Sequence, residues 1–96
     1  MKISYYAVFE YAGDGINITF PDIPEALTCA YSRKESIKMA NEVLELSLHK
    51  KRYSDLPKPI EKNKIFIKDN TEIVEITISM KLQKDLLLGN EIIEIN

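Results

Sequence analysis

Between residues 32 and 52 the apolar positions Ile37, Ala40, Leu44 and Leu48 recur at helical spacing, with Val43 and Ser47 on the flank of the same stripe. Most other positions there are charged, so the segment predicts one long amphipathic helix that needs an apolar platform to lie on. Ser32 followed by Glu35 predicts a capping box, in which each side chain satisfies a backbone donor at the helix start. Lys50, Lys51 and Arg52 fall where the C-terminal end of the helix dipole favours positive charge.

Upstream the apolar period shortens to about two. Ile3, Tyr5, Ala7, Phe9 and Tyr11 alternate with Ser4, Tyr6, Val8 and Glu10, which predicts a first strand whose second face is partly covered. Asp14 and Gly15 follow as a hairpin signal, since glycine supplies the backbone freedom that tight turns need. Ile16, Ile18 and Phe20 against Asn17 and Thr19 predict a second strand. Pro21 and Pro24 each lack a ladder donor, so residues 20–25 are expected to be an ordered loop pinned by Phe20 and Ile23. Leu27, Cys29 and Tyr31 alternate with Thr28 and Ala30 as a third strand, with Cys29 expected on its buried side as a small hydrophobe.

Beyond the helix, Pro57 and Pro59 stiffen a connector. Ile65, Phe66 and Ile67 suggest a short extended piece, and residues 69–71 a turn. Val74, Ile76, Ile78 and Met80 alternate with Glu75, Thr77 and Ser79, predicting a fourth strand over 73–80. Residues 81–88 suit one or two helical turns stopped by Gly89 and Asn90. The expected fold class is α+β, in the order β-β-β-α-β. A three-stranded antiparallel meander is joined by a fourth strand, with one long helix packed on one face.

Composition narrows the class without naming a function. Ninety-six residues, 45% hydrophobic and 29% charged, describe one ordinary globular domain. No apolar run approaches the roughly 18 residues of a membrane span, and residues 1–5 lack a signal-peptide core. A single cysteine excludes an internal disulfide and fits a reducing cytoplasm. The net charge of −2 argues against nucleic acid as the main partner and is compatible with a basic protein.

Several stretches carry a resemblance. Residues 6–10 (Tyr-Ala-Val-Phe-Glu), 15–24 (Gly-Ile-Asn-Ile-Thr-Phe-Pro-Asp-Ile-Pro) and 26–28, the helix over 35–46, Leu56 to Pro59 and the strand near 73–78 resemble the N-terminal domain of HicB-like antitoxins. The likeness covers roughly residues 4–80 and rests mainly on the Phe-Pro-Asp-x-Pro loop at its distance before the helix. It implies a partial ribonuclease H-like domain without a catalytic centre. It also implies a partner, a small mRNA-cleaving HicA-like toxin, which the domain binds and occludes. Relatives of this kind add a C-terminal DNA-binding module. The expected division is therefore a HicB-like domain over 1–80 and an extension over 81–96 that could be a remnant of that module, which leaves DNA binding open. The alternative is a solitary homo-oligomeric regulatory or assembly domain of the same fold with no toxin partner.

The candidate chemistry points the same way. Glu10, Asp14, Asp22 and Glu25 are expected to gather at one end of the first hairpin and its following loop. Such a group can hold a divalent metal or do acid–base work. Asp14 has a role in the turn, however, and Asp22 can bond its own loop backbone. The group reads better as an acidic rim facing a basic toxin. Glu10, Asp14, Pro21, Asp22, Ile23 and Glu25 are the candidate toxin contacts, chosen on exposure and charge, with no metal, cofactor or catalytic residue assigned. His49 reads as a solvated residue at the helix end, and Lys50, Lys51, Arg52, Lys58, Lys62 and Lys64 as a solvated face diluted by acids. Met39 and Leu46, seven apart on one helix line, are the candidate oligomer seam. An uncovered edge on the first strand would offer a further route to assembly.

Overall fold

The computed structural model describes residues 2–49, 51–79, 82–83 and 94–95. In chain order these form β1 (Lys2–Ala12), β2 (Gly15–Thr19), β3 (Leu27–Ala30), α1 (Arg33–Leu48), two 3-10 turns (Tyr53–Asp55 and Lys62–Lys64) and β4 (Thr71–Ser79). Two short strands follow, β5 (Leu82–Gln83) and β6 (Glu94–Ile95). The first four strands make one antiparallel sheet in the order β3-β2-β1-β4, with α1 packed on one face, an α+β fold. Among the described residues no helix is long and apolar enough to cross a membrane.

β1 pairs with β4 over Lys2–Glu10 and with β2 over Val8–Ala12, so among the described residues its Lys2–Ala7 half has a strand partner on the β4 side only; β3 and β4 are the outer strands of the sheet. Opposed residues of an antiparallel pair share a face. Phe9 stands opposite Ile18 on one side, while Ala7 and Tyr5 stand opposite Val74 and Ile76 on the other. These side chains form the inner face with Ile16, Ile78 and Ala30, beneath Ala40, Leu44 and Leu48 of α1.

The same rule corrects β3. Ile18 stands opposite Thr28 and Ile16 opposite Ala30, so Thr28 and Ala30 turn toward the helix. Leu27, Cys29 and Tyr31 are consequently exposed, and the expected burial of Cys29 is reversed. Alternation alone cannot say which half of a short strand is inward; the register with β2 decides it.

The hairpin also differs by one residue. Ala12 pairs with Gly15, leaving Gly13 and Asp14 as the turn, and Gly15 opens β2. Gly15 has φ +157°, a backbone conformation that other residues adopt only with strain, and a Cβ there would also lie a tight 3.1 Å from the Ala30 carbonyl oxygen of β3.

The buried ridge of α1 is Ser36, Ala40, Leu44 and Leu48, four apart, with Ile37, Met39 and Val43 half-buried beside it. Ser36 sits in this ridge without cost because its hydroxyl donates to the Ser32 carbonyl at 2.7 Å. The helix start is capped, though not reciprocally. The Glu35 N–H donates to Ser32 Oγ at 3.1 Å, while the Glu35 carboxylate accepts from the Tyr31 N–H at 2.8 Å, one residue before the expected partner. The helix ends at Leu48, short of Arg52.

No strand forms at Ile65–Ile67; Ile65 is buried outside the main cluster, and Phe66 and Ile67 are exposed. The connector from α1 instead crosses to β4, where Asn70 exchanges hydrogen bonds with the Tyr11 backbone, accepting at 2.8 Å and donating at 3.1 Å. Leu82 and Gln83 pair with Ile95 and Glu94, so the helical turns expected over 81–88 do not include them. The rest of that expectation, and the strand end expected at Met80, lie outside the described residues.

Leu44 is fully buried at the centre of the helix ridge. Leu44→Ala is expected to lower unfolding stability by roughly 2–5 kcal/mol in urea melts, the range for a buried leucine that leaves a cavity. A loss of surface size would show that the ridge is not the core.

Candidate functional site

The four carboxylates are not gathered at one end. β2 runs between the hairpin turn at Asp14 and the loop holding Asp22 and Glu25, and at about 3.3 Å per residue these lie at opposite ends of the sheet. Glu10 stands between them on the face turned away from α1, opposite Asn17 and Thr71. Among the described residues no three His, Cys, Asp or Glu side chains come close enough to hold a metal ion.

The proline loop is a clamp. The Ile23 N–H donates to the Phe20 carbonyl at 3.0 Å and the Ala26 N–H to the Ile23 carbonyl at 2.9 Å, while Phe20, Ile23 and Ala26 are buried in the core. Ile23 has no exposed surface and therefore drops out of the candidate contacts. Asp22 does not bond its own loop; its Oδ2 accepts the Ile60 N–H at 3.0 Å, from a residue 38 positions later. Beside it the Tyr5 hydroxyl donates to the Pro57 carbonyl at 2.5 Å. Burial first, and the Asp22 charge second, push the Tyr5 hydroxyl pKa up, so it stays protonated as a donor. Pro21 and Glu25 remain exposed, and Glu25 faces Lys51 at 3.8 Å.

At the other end of the sheet, Arg33 Nη2 and Nε donate to the Glu72 carboxylate at 2.8 and 3.2 Å, and the Tyr11 hydroxyl donates to Glu72 Oε1 at 2.6 Å. This ties β1, α1 and β4 together. The Arg33 guanidinium, then the Tyr11 hydroxyl, hold the Glu72 carboxyl below the usual range, and the same bonds raise Arg33 and Tyr11. An open cleft of about 520 Å³ lies beside them, between the hairpin at Asp14 and the α1 start, and Tyr31 lines it at 84% exposure.

A second concavity of about 150 Å³ lies on the sheet face turned away from α1. Val8, Glu10, Asn17, Thr19 and Thr71 of the sheet meet Phe66 and Lys68 of the connector there. Phe66 is 81% and Leu27 63% exposed. The proposed seam does not form one exposed line: Met39 packs against the core, whereas Leu46 is in solvent. His49 and Cys29 are exposed and lie on different elements.

The network of Tyr11, Arg33 and Glu72 and the groove at Phe66 and Lys68 escaped the sequence reading. Arg33 and Tyr11 reach Glu72 across 39 and 61 residues, and the groove joins Phe66 and Lys68 to distant strands, so neither belongs to a local motif. The apolar run at residues 65–67, flanked by charge, was the one local sign of an exposed anchor.

Comparison with known proteins gives a fold. No family model matches the chain, and no curated protein sequence matches it. A solved structure described as a toxin–antitoxin complex from Streptococcus pneumoniae contains a chain that superposes with a TM-score of 0.71 at 21% identity, covering 82% of this chain and 70% of that one.

Two outcomes test this geometry. Asp22→Ala strands the Ile60 N–H without its acceptor, so it is expected to destabilise the fold by about 1–3 kcal/mol in denaturant melts; an unchanged midpoint would mean that the clamp is not formed. Because the folded Glu72 pKa is depressed, its contribution is present above about pH 4.3 and fades as pH falls through the folded value. The thermal midpoint of wild type should exceed that of Glu72→Gln slightly at pH 7, and the gap should shrink as the solution is acidified. A gap independent of pH would contradict this.

Proposed function

We propose that this chain is the antitoxin of a type II toxin–antitoxin pair of HicB-like kind. On this reading it is a cytoplasmic, non-catalytic protein that binds and covers a small mRNA-cleaving toxin similar to HicA. The observation that carries the reading is the fold shared with a chain of a toxin–antitoxin complex over 82% of this sequence. The net charge of −2 supports a protein partner over direct docking on RNA, whose phosphates select for basic surfaces. It also suits a basic toxin, which an acidic partner attracts and orients.

The contact surface on this reading uses the candidate residues that stay accessible: Glu10, Asp14, Pro21 and Glu25. Asp22 and Ile23 support it from behind by fixing the loop. A second reading, a solitary homo-oligomeric domain with no toxin, is favoured by the exposed Leu27 and Phe66 on the face away from α1.

The test is co-expression with the product of the adjacent short reading frame. That product alone should arrest growth, and this chain should relieve the arrest and co-purify with it. Asp14→Asn combined with Glu25→Gln should weaken the complex and flatten its salt dependence. A neighbouring product that neither arrests growth nor co-purifies would defeat the antitoxin reading.

A further inference from the structure

The two outer strands of the sheet differ in reach. β3 offers an edge of four residues, whereas β4 offers one of nine, Thr71–Ser79. Which backbone groups line that longer edge follows from the pairing with β1. The Tyr11 N–H donates to the Asn70 carbonyl on the β4 side, so the odd-numbered residues of β1 bond toward β4. Their partners Glu72, Val74, Ile76 and Ile78 bond back toward β1. Ile73, Glu75, Thr77 and Ser79 alternate with these and aim their N–H and C=O groups outward, where no strand of the described residues meets them.

Exposed edges are ordinarily blunted by proline, lysine, a bulge or shortness. β4 is long, contains neither proline nor lysine, and keeps an unbroken register with β1 from Thr71 to Ser79. Glu72 is already held by Arg33. Glu75 is exposed at the middle of the strand and has no ion-pair partner among the described residues.

Glu75 selects the occupant. Two copies pairing β4 along its whole length about a twofold axis would set Glu75 directly against the Glu75 of the other copy. A slip of two residues leaves the two carboxylates as diagonal neighbours, still within reach of each other. Like charges so placed destabilise the pair, which guards the edge against itself and leaves it open to a strand that brings a cation there.

We propose that β4 takes up an extended strand of a basic partner protein. A lysine or arginine of that strand stands opposite Glu75, and its residues on the α1 side, beside Val74, are apolar. Main-chain hydrogen bonds supply the adhesion and Glu75 the choice of partner. The proposal rests on the antitoxin reading for the source of the strand, the small toxin.

Amide hydrogen exchange of the full chain, followed by NMR, tests it with the product of the adjacent short reading frame as the probe. In the free chain the Val74 and Ile76 amides should exchange slowly and those of Ile73, Glu75 and Thr77 rapidly. Complex formation is expected to slow the latter three by about tenfold or more. Thr77→Pro removes one outward N–H at an edge position that tolerates proline, and Glu75→Lys reverses the selecting charge. Each should weaken the complex by about tenfold or more, with circular dichroism showing the fold retained. A complex that forms yet leaves the three amides exchanging as in the free chain overturns the proposal while the antitoxin reading stands. So does a complex whose affinity both substitutions leave unchanged. A product that does not bind at all defeats both.

Discussion

The burial of β1 beneath α1 is the constraint on which the remaining structure depends. Tyr5, Ala7 and Phe9 lie in the middle of the sheet, and Ala40, Leu44 and Leu48 close over them. Removing that much apolar surface from water stabilises the domain more than any polar contact described here, at about 25 cal/mol per Å². The requirement fixes β1 as an inner strand, flanked by β4 over Lys2–Glu10 and by β2 over Val8–Ala12. It also fixes the side of the sheet on which α1 lies, and therefore which side is left to meet other molecules.

Polar contacts then lock the ends of this sandwich. At one end Asp22 and Tyr5 hold the connector through Ile60 and Pro57. At the other, Glu72 gathers Tyr11 and Arg33. The two differ in kind. The Asp22 bond is part-buried and satisfies a backbone donor, so its loss leaves an unmet group. The Glu72 cluster is largely in solvent, where water and salt weaken ion pairs, and it guides the approach of elements more than it stabilises them. A carboxylate that looked free to meet a partner thus serves the fold, and an arginine next to an open cleft is already engaged.

These assignments leave two surfaces of different character. The hairpin tip and the proline loop present Asp14 and Glu25 at opposite ends, a spread suited to a partner that spans the domain rather than one that enters a pocket. The sheet face away from α1 presents Leu27, Val8, Ile73 and Phe66 around Thr19, with Glu10 and Lys68 beside them.

The sequence by itself determined the helix, its cap at Ser32, the hairpin and the strand nature of all four main segments. Each is announced by local periodicity or by the chemistry of a few adjacent residues. Tertiary structure decided what periodicity cannot carry. Which side of β3 faces inward depends on its register with β2, so Cys29 emerged and Ala30 went under. Whether Asp22 was free depended on Ile60, and the placement of Phe66 beside Val8 on a connector that folds back across the sheet. Pairings over such separations are chosen by the whole chain minimising exposed apolar surface and unmet backbone groups at once, and no short window of residues contains that choice.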